Sequence, residues 1–297
     1  MHILITGGTG FVGFSLVREL LAEGNTVTVL VHKNAKVPKG SCVIHSLNKL
    51  SDEEKIDAII NLAGAPISKR WSDDYKKIIL SSRINATKDI VALIKRLKNK
   101  PNVLVSASAI GYYGNQKDGN RILHENSKPQ QGFTHNLCKE WETESEKARE
   151  LGVRVCIARL GVVLEKEGGA LGKMLPPFKL CLGGVIGSGK QYFSWIHRDD
   201  VINAFKSFLN SQACGTYNLT APTPVTNEQF TKSLAENIHR PAIFPMPAFM
   251  VKLLFGEMGR EILLGGQRVV PQKLQQEGFI FKYPEVDEAL RSIVKPR

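Results

Sequence analysis

Apolar and polar positions alternate in short blocks from the start of the chain. Ile3-Leu4-Ile5 forms a strand-like run, a glycine cluster follows at residues 7–13, and Leu16, Val17, Leu20 and Leu21 then recur at helical spacing. The same texture repeats further on. Strand patterns are expected at residues 2–6, 26–31, 43–45, 57–62, 102–108 and 154–159, and helical patterns at 10–22, 72–97 and 134–151. Strands alternating with helices predict an α/β fold, a Rossmann-type doubly wound parallel sheet.

After Leu164 the pattern breaks. Gly168-Gly169, Pro176-Pro177, Gly183-Gly184 and Gly187-Ser188-Gly189 crowd a short span and predict loops over a site. One more strand is expected at 215–219, helices near 227–238 and 248–255, and an aromatic stretch at 279–284. This divides the chain into a doubly wound domain (1–165 with 191–220) and a smaller C-terminal substrate or lid domain (166–190 with 221–297).

The glycine cluster carries the first chemistry. Gly8, Gly10 and Gly13 fit G-x-G-x-x-G, and Gly7, Gly10 and Gly13 fit G-x-x-G-x-x-G. A strand precedes it, a helix follows, and a second strand comes within about 30 residues, the context a dinucleotide turn requires. In such a turn one glycine bends the chain, one lets the backbone approach a pyrophosphate, and one lets helix and strand pack closely. The helix N-terminus then offers free N–H groups to the phosphates.

Which dinucleotide is decided about 20 residues later, where an NAD site carries an acid for the ribose hydroxyls. Here the second strand runs into His32-Lys33-Asn34, and no Asp or Glu occurs between Glu23 and Asp52. Cations in place of a carboxylate favour a 2′-phosphate. NADP is therefore the expected cofactor, with His32 and Lys33 nearest its extra phosphate.

Bulk composition adds limits. The 297 residues carry a net charge of +12, 42% hydrophobic and 23% charged residues. The lysines are spread along the chain without a nucleic-acid motif, so nucleic-acid binding is a low expectation. The cluster from Arg96 to Lys100 reads as a solvated helix end, where cations complement the dipole. No apolar run reaches membrane-spanning length, and a strand at the first residues leaves no leader peptide to expect. Five scattered cysteines without C-x-x-C suggest no disulfide framework and no metal, in keeping with a reducing cytoplasm. Cys156 is expected to be a buried thiol. The expected partner is a small-molecule substrate, not a membrane, and a homodimer is left open.

Thr6-Gly7-Gly8-Thr9-Gly10-Phe11-Val12-Gly13 resembles the nucleotide turn of extended short-chain dehydrogenases/reductases. Asn61-Leu62-Ala63-Gly64 resembles their N-x-A-G segment, and the run from Ser106 to Gly114 their fifth-strand serine segment. Arg70-Trp71, Ser82-Arg83, Trp141-Glu142, Arg159 with Gly161-Val162-Val163-Leu164, Gly168-Gly169-Ala170-Leu171, Trp195-Ile196-His197 and Gly266-Gln267-Arg268-Val269 narrow the likeness. They are similar to an atypical, epimerase-like branch also known as sugar-nucleotide epimerases or cell-division inhibitors. The resemblance implies that Thr6 to Gly13 cradle the pyrophosphate and that His32 and Lys33 hold the adenosine-phosphate corner. It further implies that Leu62, Ala63 and Gly64 line the cofactor, that Arg83 reaches toward it, and that Val163 lies at the nicotinamide end.

Short-chain dehydrogenases carry Tyr-x-x-x-Lys on the helix after the serine strand, and this helix has no tyrosine. Counting back from Glu142 puts Thr134 and Cys138 in those slots, and sliding by one puts His135 and Lys139 there. Ser108, Tyr112 and Tyr113 are the candidates to touch substrate or exchange its proton. Tyr113-Gly114-Asn115-Gln116-Lys117 matches the spacing but falls where a helix is not expected. His197, beside Asp199 and Asp200, is expected to be structural, Glu125 solvated, and Gln191 a wall of the cleft. Two functions remain open. One is an NADP-dependent oxidoreductase or epimerase acting on a small carbonyl or hydroxyl compound, a nucleotide sugar among the candidates. The other is an NADP-binding redox sensor or regulator with little catalysis.

Overall fold

The computed structural model describes residues 1–31, 35–116 and 119–295. Seven strands form one sheet: β1 (His2–Thr6), β2 (Thr26–Leu30), β3 (Cys42–Ile44), β4 (Ala58–Asn61), β5 (Val103–Ala109), β6 (Arg154–Leu160) and β7 (Gly215–Leu219). They lie in the order β7-β6-β5-β4-β1-β2-β3, and every neighbouring pair is parallel. The chain steps from β1 outward through β2 to β3, then returns to place β4 on the other side of β1. That reversal leaves a crevice outside the carboxyl ends of β1 and β4, where open α/β sheets bind ligands.

Strand period explains the layers. Ile3, Ile5, Val27, Val29, Val103 and Val105 pack with α1 (Phe11–Ala22) and α5 (Arg198–Asn210) in one buried cluster. Their alternates Leu4, Ile59, Leu104, Val155 and Ile157 pack with Ile90, Leu93 and Ile94 of α2 (Asp73–Arg96) in another. Successive strand residues point to opposite faces, so the near-continuous apolar strands supply both cores.

The helix ends follow local chemistry. The Ser72 side chain accepts from the Tyr75 N–H at the start of α2, with Asp73 and Asp74 in the first turn and Lys95 and Arg96 in the last. Just beyond, Lys100 Nζ donates to the carbonyls of Ile94, Lys95 and Leu97, as expected of a cation at a helix C-terminus. The long helix expected at 134–151 is α3 (Phe133–Glu146) continued by a 3₁₀ turn, Lys147–Leu151.

The span expected to be loops contains helix α4 (Gly169–Lys179), with Pro176 and Pro177 inside it. Its buried Leu171, Leu175 and Phe178 join α6 (Asn227–Asn237) and α9 (Val286–Val294) in a further core with Trp195. The periodicity at 227–238 is α6, opened by a capping box between Thr226 and Gln229. That at 248–255 is α7 (Ala248–Met258), broken at Gly256, whose φ is +60°, and a short helix α8 (Gln272–Gln276) lies between it and α9. No helix among the described residues is long and apolar enough to cross a membrane.

Candidate active site

The glycine turn sits at the topological switch point. Gly7 has a φ of +73°, and a Cβ there would fall 2.5 Å from the carbonyl of Leu62. A Cβ on Gly13 would fall 2.2 Å from the Gly7 oxygen, and one on Gly8 2.7 Å from Val29. Side chains are thus excluded where the start of α1 meets the end of β1. The Gly10 N–H bonds the Gly7 carbonyl at 2.9 Å. A helix beginning at Phe11 leaves the N–H groups of Phe11, Val12 and Gly13 without intrahelical acceptors, and no acid occupies that first turn. These features fit a pyrophosphate.

The motifs around the turn are brought together. Thr6 and Asn61 are register partners, and the Thr6 hydroxyl donates to Asn61 Oδ1 at 2.7 Å. Asn61 is fully buried, accepts from the Ala63 N–H at 3.3 Å and donates to Thr87 at 2.9 Å. Its amide shapes the turn that carries Leu62, Ala63 and Gly64. Arg83 packs on Gly64, where a Cβ would fall 2.9 Å from the guanidinium carbon. It donates to the carbonyls of Ile79 at 2.9 Å and Ala65 at 3.1 Å and lies over the Trp141 ring. Burial lowers its pKa. Arg83 has no carboxylate partner among the described residues, so the ion pair that would make it ordinary is not there.

Phe11 links the turn to the start of α4. A Cβ on Gly168 would fall 2.6 Å from its ring, and one on Gly169 2.9 Å from the ring and 3.1 Å from the Val163 carbonyl. Val163 is half-buried and pairs with Ile196 in a two-stranded ribbon. His32 and Lys33, the expected phosphate-corner residues, lie outside the described residues.

The other candidates belong to one buried network. Ser108 and Asn218 flank Arg159 as its register partners on β5 and β7. Ser108 Oγ donates to Glu142 Oε1 at 2.6 Å. Arg159 grips both oxygens of Glu142 through Nε and Nη2, each at 2.8 Å. Its Nη1 donates to the Tyr113 hydroxyl at 3.0 Å and the Glu125 carbonyl at 3.2 Å. Tyr113 in turn donates to Asn218 Oδ1 at 2.7 Å. Tyr113 is fully buried, and burial pushes its phenol up to about 12. Burial works to lower the Arg159 pKa, but the hydrogen bonds and charge of Glu142 outweigh it and raise it.

Tyr112 differs from Tyr113. It is half-buried, its ring lies 3.4 Å from the Arg159 guanidinium carbon, and its hydroxyl has no protein hydrogen bond among the described residues. The first turn of α3 holds this aromatic pair in place, since His135 Nδ1 lies 2.6 Å from the Tyr112 carbonyl. Thr134 and Cys138, in the slots counted back from Glu142, are buried. Burial pushes the Cys138 thiol up to about 12, and the negative charge of Glu142 adds to it. Tyr112 and Tyr113 stand in a 3₁₀ turn, Ile110–Tyr113, which ends at Gly114 with a φ of +62°. The matched spacing after Tyr113 therefore does not continue as a helix, and its Lys117 lies outside the described residues.

Glu142 and Arg159 had entered only as shared words of the resemblance. The signal was present: Arg159, set inside the apolar run that follows Arg154, demands a buried anion. Glu125 corrects its expectation, because its carboxylate accepts the backbone N–H of Asn218 at 3.0 Å and of Lys273 at 3.3 Å. Gln191 ties together the carbonyls of Ile186 and Leu263. His197 is structural as expected: buried, its Nδ1 accepts the Asp199 N–H at 3.0 Å and caps α5. Cys156 is buried and donates to the Ala213 carbonyl.

Comparison with known proteins fits this geometry. Residues 3–220 match the model of the NAD dependent epimerase/dehydratase family, and residues 246–293 match a domain of unknown function, DUF1731. The chain is 40% identical over 306 residues to an Arabidopsis thaliana protein called epimerase family protein SDR39U1 homolog, chloroplastic, covering 99% of this chain and 87% of that one. It is 37% identical over 304 residues to the epimerase family protein YfhF of Bacillus subtilis, covering 100% and 99%. Among solved structures, human epimerase family protein SDR39U1 with NADPH superposes with a TM-score of 0.90 at 33% identity, covering 99% of both chains. A nucleoside-diphosphate sugar epimerase from Corynebacterium glutamicum gives 0.78 at 29% identity, covering 99% of this chain and 58% of that one. With the family model matched from the first strand to the seventh and a relative 40% identical along the chain, the chain belongs to the NAD-dependent epimerase/dehydratase family.

Proposed function

We propose that the chain binds NADP(H) and works as an oxidoreductase or epimerase of the extended short-chain type. Its substrate is a small carbonyl or hydroxyl compound, with a nucleotide sugar as the leading class. The observation that carries this reading is the glycine turn at the switch point, packed so closely that a Cβ on Gly7 or Gly13 would strike backbone. The pyrophosphate would rest on the N–H groups of Phe11, Val12 and Gly13, with Leu62 to Gly64 along its side. Two facts support NADP over NAD. No acid stands between Glu23 and Asp52, and the human relative was solved with NADPH. The bound cofactor would supply hydride transfer at the nicotinamide.

The protein's own part is proton handling and positioning. The Ser108 proton is committed to Glu142, so its oxygen keeps lone pairs to accept a substrate hydroxyl. Arg159 holds the Glu142 carboxylate in place through both of its oxygens. Tyr113 stays a protonated phenol at neutral pH and serves as a fixed strut, while the hydroxyl of Tyr112 remains to meet a ligand. The cysteines are free thiols, which suits a reducing cytoplasm.

A second reading, a nucleotide-binding sensor with little turnover, is favoured by one observation. Neither register of α3 supplies a tyrosine: counted back from Glu142 the slots hold Thr134 and Cys138, both buried, and shifted by one they hold His135 and Lys139. Assay of NADPH oxidation and NADP reduction across a panel of carbonyl and nucleotide-sugar compounds separates the two. Turnover lost in Ser108→Ala but kept in Cys138→Ser supports the enzyme. Tight NADPH binding with no turnover across the panel supports the sensor.

A further inference from the structure

The second lobe carries a surface that its own core does not explain. Residues 180–187 and 243–247 run beside each other: the Phe244 N–H bonds the Gly183 carbonyl, the Met246 N–H that of Val185, and the Gly187 N–H that of Met246. Helix α7 follows directly from the second of these segments. Leu180, Ile243, Phe249 and Leu253 are each about 70% exposed, at 70%, 69%, 69% and 71%. Leu182, Phe244, Met250 and Leu254 are exposed beside them in sequence. Helix α7 buries Val251 and Met258 but turns Phe249, Met250, Leu253 and Leu254 outward, the reverse of an ordinary surface helix. So many large apolar side chains exposed on adjoining segments mark an interaction site.

Its charge says what kind. Residues 168–197 and 237–256 contain no Asp or Glu, in a chain with 28 of them. They do contain Lys173, Lys179, Lys190, Arg240 and Lys252. Lys179, Arg240 and Lys252 are exposed and have no carboxylate ion pair among the described residues. The acids at its border are Glu257, paired with Lys76 at 2.9 Å, and Glu236, which pairs with Lys232 at 4.0 Å; Glu236 and Glu228 line a groove with Val185 and Arg240. Apolar side chains set among unpaired cations complement an anionic interface whose interior is hydrocarbon.

We propose that this face, formed by residues 179–187 and 240–254, docks on an anionic lipid surface. Phe249, Leu253 and Leu180 enter the headgroup boundary while Lys179, Arg240 and Lys252 meet the lipid phosphates. The proposal departs from the expectation of no membrane partner, and it needs no spanning helix, because the face would lie on the bilayer. The binding grows with the fraction of anionic lipid and weakens with salt, because each exposed cation within a Debye length adds attraction.

The test is flotation of the purified protein with vesicles of phosphatidylcholine alone and of phosphatidylcholine with about one third phosphatidylglycerol. The protein is expected to float with the anionic vesicles and to stay behind with the neutral ones. Phe249→Ser with Leu253→Ser weakens the partition about tenfold or more. Lys179→Glu with Lys252→Glu does the same with every apolar residue kept, so a folding defect in the first pair does not decide the outcome. Light scattering on the same samples supplies the rival. Failure to float with anionic vesicles overturns the proposal. So does a concentration-dependent dimer dissolved by either variant pair, which assigns the face to a second copy of the chain.

Discussion

Glu142 and Arg159 form the pair on which the buried chemistry turns. Both oxygens of one are met by the fork of the other, and the Nη1 donors go to the Tyr113 hydroxyl and the Glu125 carbonyl. Removing one partner leaves an uncompensated buried charge. Glu142→Leu is expected to cost about 3–5 kcal/mol in a denaturant melt, and adding Arg159→Met is expected to recover much of it. If the double variant is no better than the single, the pair is not the coupled unit described. The same interior sets an alkaline limit. Tyr113 rises from 10.0 to about 12, Cys138 from 9.0 to about 12 and Cys156 from 9.0 to about 11, all chiefly by burial. The folded chain then keeps protons that the unfolded chain releases. The corresponding stability is complete below pH 9 and is lost as pH rises through the range 9 to 12. Melts from pH 8 to 11 are expected to show this fall, with a shallower slope in Cys138→Ser. A flat profile contradicts it.

Elements were legible in proportion to how plainly their ends and periods are written. All seven strands were expected close to where they lie, because most are apolar runs bounded by turns or helical patterns. Helix α4 was read as loop because two prolines and paired glycines mask Leu171, Leu175 and Phe178, which turn to the core at helical spacing. Helix α5 was missed because its cap is a histidine, and His197-Arg198-Asp199-Asp200 reads more readily as chemistry than as a helix start. Helix α9 buries Val286, Ala289, Leu290 and Ile293, a pattern obscured by the aromatic stretch before it. In the site, Glu142 escaped because a glutamate on a charged helix reads as solvated until its facing strand is known. Where a cap was written in full it is expected to matter: Thr226→Ala removes the capping box of α6 and costs about 0.5–2 kcal/mol. A melt unchanged by that substitution means the core that α6 joins does not depend on the helix end.

At the scale of the whole molecule, the sheet reverses its order between β1 and β4, and nearly every candidate gathers at the strand ends beside that reversal. The glycine turn, the Asn61 turn and Arg83 stand on one side, and the network from Ser108 to Asn218 on the other. Helix α4 reaches over through Phe11 and Gly168-Gly169. Sequence motifs identified the cradle because glycine spacing is dictated by backbone approach, which any chain must satisfy in the same way. They did not identify the proton-handling groups, which depend on register across β5, β6 and β7 and so on contacts distant in sequence. The account rests on the cradle taking a phosphorylated nicotinamide nucleotide. The direct measurement is calorimetric titration of the folded protein with NADPH and with NADH. The prediction is saturable binding of NADPH, about tenfold or more tighter than NADH, lost in Gly13→Val, whose side chain would strike the Gly7 carbonyl. No saturable binding of either nucleotide by protein that melts cooperatively would contradict it.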